Sequence, residues 1–241
     1  MPTARWRRRP DGSTWGDFGP DDQIGRLNLI TPEKVRQGAA EVREGRTFCL
    51  SLPLDYPGGA VLNPRRTPPV QGRGVLVDFH AHFGHERKMV SRDDLLRVMD
   101  QDKVVVEKGD MLLLHTGFSQ AILDMKKEPD GDKLGSSYAV LDGRDDALLQ
   151  WITDAGLASL IADNYGVEAV PSRPGGPTAH AGLPLHQHCL FKLGVNLGEM
   201  WYLTELAAWL RQHKRNRFLL TAPPLRLTGA VGSPATPIAT V

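Results

Sequence analysis

Apolar and polar positions switch between two periods along this chain, and each switch marks a predicted element. Thr31-Pro32 opens a helix, with Thr as N-cap and Pro at the first helical position. Val35, Ala39 and Val42 form its apolar stripe, and Gly45 ends it. Residues 47–54 alternate in part and predict a strand. Gly74-Val75-Leu76-Val77-Asp78-Phe79 has the near-continuous apolar run of a buried strand. Ser91 caps a helix that runs to about Asp100, with Leu95, Leu96, Val98 and Met99 inside. Further strands are predicted over 104–106 and 110–114. A helix over 145–155 places Leu148, Leu149 and Ile152 on one side, and 157–162 follows as a short apolar strand. Helices over 185–193 and 202–213 and a strand over 218–221 complete the series. Strands and helices interleave, so the fold class is α/β.

The intervening stretches lack either period. Residues 10–30 are rich in Gly, Asp and Pro and predict an extended loop wrapping the body. The organisation expected is therefore an N-terminal arm over 1–30 and a single domain over 31–241. Residues 55–72 are proline-rich and turn-forming, and 126–137 are polar and turn-prone. The Pro/Gly loop over 165–183 is long enough to act as a lid or a site wall. The tail over 223–241, again rich in Pro and Gly, is expected to pair along the body. No internal repeat is visible.

Composition narrows the function classes. With 41% hydrophobic and 24% charged residues, the chain is an ordinary globular protein. Twenty-nine Lys and Arg against 28 Asp and Glu leave no global field to recruit nucleic acid or an anionic membrane, so neither is an expected partner. The one basic run, Arg5, Arg7, Arg8 and Arg9 around Trp6, reads as a solvated tail. No stretch approaches the ~20 apolar residues of a membrane helix, and the first residues lack the apolar core of a signal peptide. The expected compartment is cytoplasmic. Cys49 and Cys189 are too few for a disulfide framework or a thiolate zinc site, and both sit among apolar neighbours as small buried hydrophobes.

Two histidine clusters could carry chemistry. In Asp78-Phe79-His80-Ala81-His82, residues i and i+2 of a strand share a face, so His80 and His82 could reach one ion. This resembles the strand-end His-x-His of metal-dependent amidohydrolases. That fold is an eight-fold barrel of about 250 residues, and too little chain follows His82 to build one. Two histidines at a solvent-facing strand end are the plainer account. The second cluster is His186, His188 and Glu199. On a helix His186 and His188 lie about 200° apart and cannot share an ion. One of them could share it with Glu199, because Gly194-Val195-Asn196-Leu197-Gly198 returns the chain from the helix end. Imidazole plus carboxylate suits Zn²⁺ or Mn²⁺. Catalytic zinc generally takes three protein ligands, so spacing alone equally allows a surface histidine. Neither a Gly-x-Ser-x-Gly elbow nor a Cys–His pairing is present, and Gly72-Arg73-Gly74 is too short for a phosphate loop.

Several stretches resemble a known family. Trp15-Gly16-Asp17 with Asp21-Asp22-Gln23-Ile24-Gly25-Arg26-Leu27-Asn28 is similar to the N-terminal signature of the cyclase family, which includes kynurenine formamidases and isatin hydrolase-like enzymes. Gly74-Val75-Leu76-Val77-Asp78 and Gly109-Asp110-Met111-Leu112-Leu113-Leu114-His115-Thr116-Gly117 resemble its central strand pair. Leu185-His186, Gly194, Gly198-Glu199, Ala222-Pro223-Pro224-Leu225-Arg226 and Gly232-Ser233-Pro234 resemble its C-terminal half. The resemblance implies a swivelling β/β/α fold, a homo-oligomer and a Zn²⁺- or Mn²⁺-dependent hydrolase. Its reaction class is hydrolysis of non-peptide carbon–nitrogen bonds, and its substrate a small-molecule amide such as N-formylkynurenine, a tryptophan catabolite.

The resemblance also assigns residues. His186 and Glu199 match ligands of the family's two-metal members, and Asp163 and Glu168 match acidic positions near its pocket. A strand-end turn accounts for Asp163 and Glu168 equally well. The family's metal motif, His-x-Gly-Thr-His-x-Asp-x-Pro-x-His or a close variant, belongs between the first strands and the Gly74 strand. Here Pro68-Pro69 runs almost directly into Gln71-Gly72-Arg73-Gly74, which reads as an internal deletion near 69–70. The motif carries most of the family's metal ligands and its proton-transferring histidine, so a non-catalytic scaffold or ligand-holding descendant is the alternative expectation.

Overall fold

The computed structural model of the protein describes residues 9–44, 46–49, 70–175, 180–224 and 232–241. Arg5, Arg7 and Arg8 of the basic run and the proline-rich stretch up to Pro69 lie outside this set. Nine strands are present among the described residues: β1 Thr47–Cys49, β2 Gln71–Asp78, β3 Met89–Val90, β4 Met111–His115, β5 Val140–Leu141, β6 Ser159–Ala162, β7 Asn196–Gly198, β8 Arg217–Thr221 and β9 Ile238–Thr240. The α-helices are α1 Pro32–Ala40, α2 Phe79–Phe83, α3 Arg92–Gln101, α4 Phe118–Asp124, α5 Gly131–Ser136, α6 Asp146–Ala155, α7 Pro184–His186 and α8 Thr204–Gln212.

Seven strands form one sheet in the order β1-β9-β8-β2-β4-β6-β7, and β3 pairs with β5 alone. Strands β2, β4, β6 and β7 run parallel, while β8, β9 and β1 add antiparallel strands beside β2. The C-terminal tail pairs as expected, through β9. Parallel neighbours need crossovers, and helices on both faces cover them. Val75, Val77, Leu112, Leu114 and Leu160 face α3 and α6, meeting Leu95, Val98, Leu148 and Ile152. The alternate positions Leu76, Leu113 and Ile161 pack on the other face with Leu206, Trp209, Leu210 and Phe218. The two-residue alternation thus splits one apolar run between two cores. The architecture is a mixed α/β single domain.

Local capping explains the helix starts. Ser91 and Asp94 form a reciprocal capping box on α3, Asp145 caps α6, and Thr31 accepts the N–H of Lys34 at the start of α1. Two expectations fail here. The face of α1 that packs inward is Lys34 and Gly38, whereas Ala39 is exposed. Gly38 lies so close to β2 that a Cβ would fall 2.7 Å from the carbonyl carbon of Gly72. Lys34 reaches Asp110 at 2.9 Å, and Arg73 binds both oxygens of the same carboxylate at 2.8 and 2.7 Å. A buried ion cluster, not an apolar stripe, therefore seats this helix. The strand expected over 104–106 is a loop. Lys103 turns at φ 53°, Val104 donates to Met99, and Val105 is 60% exposed, so the run has no strand partner.

The register sets the functional edge. Asp78 stands opposite His115, Leu114 opposite Ala162, and Ile161 opposite Gly198. Asp78, His115, Asp163 and Glu199 consequently sit at, or one residue past, the C-terminal ends of four adjacent parallel strands. In open α/β sheets this is the edge where ligands bind. No helix among the described residues is long and apolar enough to cross a membrane.

Candidate functional site

Glu168 organises the first part of the edge. It follows β6 in a loop held by a bridge to Leu141, with Leu141 donating to Val167 and Ala169 donating back to Leu141, both at 3.1 Å. Its side chain is 1% exposed and accepts three hydrogen bonds: from the backbone N–H groups of Leu185 (3.1 Å) and His186 (2.8 Å), and from His186 Nδ1 (2.8 Å). A carboxylate at the first turn of α7 satisfies donors that have no intrahelical partner. Gly143 leaves the room for it, since any side chain there would collide with the Glu168 carboxylate.

Beyond His186 the helix widens into a π-helical turn over Gln187–Leu193 that ends at Gly194, and β7 brings Glu199 back. Glu199 Oε1 accepts the N–H of Val167 at 3.0 Å and lies 3.3 Å from His186 Nε2. His188 turns away and meets the Thr153 hydroxyl at 2.9 Å. The structure thus brings His186 and Glu199 together and separates His188 from both. The hydrogen bond to Glu168, then that to Glu199, raises the His186 pKa to about 9. Burial lowers that of His188. His186 thus lies between two carboxylates, both of which favour its protonated form.

This donor set can be tested against Zn²⁺ or Mn²⁺. Two donors on a tetrahedral ion with bonds of about 2.0–2.2 Å lie about 3.3–3.5 Å apart, the spacing of His186 Nε2 and Glu199 Oε1. The carboxylate on Nδ1 is the companion that metal-bound histidines carry, because it fixes the tautomer. The chemistry of the pair therefore fits an ion. The number of donors is short of a complete catalytic centre, since no three His, Cys, Asp or Glu side chains group around an ion among the described residues. Outside the described set the sequence holds one Asp, Asp55, and no Glu or His.

Asp163, fully buried, has a different part. It accepts the Thr116 N–H (2.7 Å) and hydroxyl (2.8 Å) and the Gly117 N–H (2.8 Å). It staples the turn after β4 to the end of β6, which is the strand-end account of this residue.

His80 and His82 do not share a strand face. The strand ends at Asp78, whose side chain caps α2 by accepting the Ala81 N–H at 3.1 Å, so both histidines lie on a helix. Residues two apart on a helix diverge, as the contacts show: His82 Nε2 meets Asp102 at 2.9 Å, while His80 Nδ1 meets the Gly84 carbonyl at 3.1 Å. A shared face for His80 and His82 would need the strand to run four residues past its end at Asp78.

Sequence reasoning missed a buried dyad on the same edge. His115 Nδ1 lies 2.8 Å from Asp78 Oδ1, and Arg211 donates to Asp78 Oδ2 at 3.0 and 2.9 Å. Burial alone would raise the Asp78 pKa, but the bonds from His115 and Arg211 outweigh it and bring it to about 2. Burial opposes charge on His115 too, yet Asp78 and the nearby Asp163 raise its pKa. A signal was present in the sequence, because an acid directly follows the apolar run at Val75–Val77 and a histidine directly follows that at Leu112–Leu114.

Comparison with known proteins follows this geometry. The family model "Putative cyclase" matches residues 55–169. The crystal structure of a novel cyclase superposes with a TM-score of 0.76 and 26% identity, covering 95% of this chain and 97% of that one. Isatin hydrolase A from Labrenzia aggregata gives a TM-score of 0.53 at 13% identity, over 86% of this chain and 97% of that one. Isatin hydrolase A from Ralstonia solanacearum gives 0.55 at 14%, over 87% and 97%. At those identities the two hydrolases show a shared fold. No curated protein sequence matches the chain. The family match across the central strands and the near end-to-end superposition on a cyclase make the chain similar to cyclase-family proteins in both sequence and fold.

Proposed function

We propose that the protein is a metal-dependent hydrolase of a small amide, either an N-formyl aryl amine such as N-formylkynurenine or a cyclic amide. The observation that carries this reading is the Glu168–His186–Glu199 arrangement, with Nδ1 2.8 Å from one carboxylate and Nε2 3.3 Å from the other. His186 and Glu199 would hold Zn²⁺ or Mn²⁺, which supplies a Lewis acid for the carbonyl and acidifies a water. Glu168 keeps the Nδ1 proton in place and so presents the Nε2 lone pair. The Val167 N–H holds Glu199 Oε1 toward the imidazole. Both groups lie at the ligand-binding edge of the parallel strands.

With two side-chain donors, most positions on an ion would fall to water and substrate, and the ion would be held loosely. The reading includes an internal deletion near 69–70, a cytoplasmic setting and assembly with further copies of the chain. Loading the protein with Mn²⁺ or Zn²⁺ and assaying isatin and N-formylkynurenine tests it. The expected outcome is slow, metal-dependent turnover that His186→Ala abolishes.

One observation favours a second reading, a non-catalytic ligand-holding protein: no third donor joins the pair among the described residues. Bound metal without turnover of either amide would support that reading over the first.

A further inference from the structure

Carbonyls at the end of a helix lack partners within it. At the end of the π-helical turn Gln187–Leu193 the N-terminal arm supplies them. Trp15 Nε1 donates to the Phe191 carbonyl, the Thr14 N–H to that of Lys192 (2.6 Å), the Thr14 hydroxyl to that of Leu193 (2.6 Å) and the Arg26 N–H to that of Gly194 (3.0 Å). Four consecutive carbonyls are thus capped by one segment, residues 14–26. The two backbones touch. A Cβ on Gly25, whose φ is +58°, would stand 2.5 Å from the Gly194 oxygen, and one on Gly194 would stand 2.8 Å from the Gly25 Cα. Arg26 ties the arm down on its other side. Its buried side chain donates to the Ile152 and Thr153 carbonyls (3.0 and 2.9 Å) in the last turn of α6, while the Thr153 hydroxyl meets His188. Arm, α6 and π-helical turn therefore form one hydrogen-bonded unit.

We propose that residues 14–26 act as a clamp that keeps Gln187–Leu193 in its wide form and so sets Glu199 against His186, with Thr14 and Arg26 as positioning residues. A π-helical turn is rare, and where one interrupts a helix it often marks a functional site. Here the Gly194 N–H reaches back five residues to the Cys189 carbonyl, which the Val195 N–H shares at 2.8 Å. Closing that turn to α geometry would rotate the chain leaving it by about 100° for each residue displaced. Strand β7 follows directly, so the rotation would carry Glu199 away from His186 Nε2, now 3.3 Å off. His186 itself stays, because Glu168 holds both its backbone N–H and its ring. The clamp thus acts on one member of the pair. His188, turned from the site, serves the same unit through Thr153. Only the effect on a bound ion rests on the function proposed above; the His186–Glu199 spacing is a property of the metal-free chain.

Three variants test the clamp. Thr14→Val removes the hydroxyl and keeps the N–H, Gly25→Ala drives a Cβ against a backbone oxygen, and Thr14→Ser is the conservative control. Each is read in the metal-free chain by hydrogen exchange of the Gly194 amide and by the ¹⁵N ring signals of His186, and then by Mn²⁺ titration. In Thr14→Val and Gly25→Ala, exchange at Gly194 should rise at least tenfold and Mn²⁺ affinity should fall at least fivefold. The His186 Nε2 signal should move in both, while those of His82 and His85 stay. Thr14→Ser should match the native chain in all three readouts. Faster exchange with an unmoved His186 signal overturns the proposal, because the arm would then only cap a helix. Unchanged exchange in both variants, or Mn²⁺ affinity that neither alters, overturns it as well. A native chain that binds no Mn²⁺ would remove the metal from the function proposed above, and the His186 ring signals would still decide for or against the clamp.

Discussion

Glu168 Oε1 lies 2.8 Å from His186 Nδ1 and also accepts the backbone N–H of His186 at 2.8 Å. One buried oxygen thereby fixes both the position and the tautomer of the residue proposed to hold metal. Glu168→Gln keeps the shape but replaces a charged acceptor with a neutral amide. Loss of such a companion typically lowers metal affinity 10–100-fold. Calorimetric titration with Zn²⁺ or Mn²⁺ should show a loss in that range, and equal affinity in the variant would count against the arrangement.

The ion cluster beneath α1 should behave as a unit. Asp110 is completely buried and takes Arg73 on both oxygens and Lys34 on one. Asp110→Ala strands two cations, and breaking a buried pair from one side typically costs about 3–5 kcal/mol. Urea unfolding should show a loss of that size, whereas a change below about 1 kcal/mol, the range of surface pairs, would place the cluster in effective contact with water.

Gly38→Ala separates two physical effects by sign. On helix propensity alone, alanine stabilises a helix interior by about 1 kcal/mol. Against β2 the added Cβ would meet backbone at 2.7 Å, which cannot move aside as a side chain could. Overpacking typically costs about 1–3 kcal/mol, so net destabilisation is expected in a thermal melt. A stabilised variant would show that α1 does not press on the sheet.

Asp78 and His115 give opposite pH dependences. The folded pKa of Asp78, about 2, lies below its ordinary 3.8, so its stabilisation is present above pH 4 and disappears as pH falls through 2. The folded pKa of His115 is raised above 6.5, so its stabilisation is present below that pH and disappears as pH rises through the folded value. Between pH 5 and pH 2 the native protein should lose about 2 kcal/mol relative to Asp78→Asn. Parallel stability curves for the two proteins would contradict the dyad.

Much of this fold was legible because its elements carry local signals. The Ser91 capping box, the Asp145 cap and the apolar run at Leu112–Leu114 announce α3, α6 and β4 within a residue, and the run at Val75–Val77 announces β2, which begins three residues before the expected Gly74. The inward face of α1 was hidden because burial there depends on a pairing between Lys34 and Asp110, far apart in sequence. The end of β2 was overrun because Phe79, although fully buried, is the first residue of a helix. At the candidate site, chain reversal at Gly194 brings one of His186 and His188 toward Glu199, and only the family resemblance pointed to His186. The dyad of Asp78 with His115 was not legible, because it depends on the parallel register of two strands, which periodicity does not specify.

The central claim is that His186 and Glu199 are the metal-holding side chains of this chain. Titrating Mn²⁺ and Zn²⁺ into the native protein, His186→Ala, Glu199→Gln and His82→Ala tests it most directly. One ion per chain in the native protein is expected, with affinity at least tenfold lower in the first two variants and unchanged in the third. Affinity that survives His186→Ala, or collapses in His82→Ala, would contradict it.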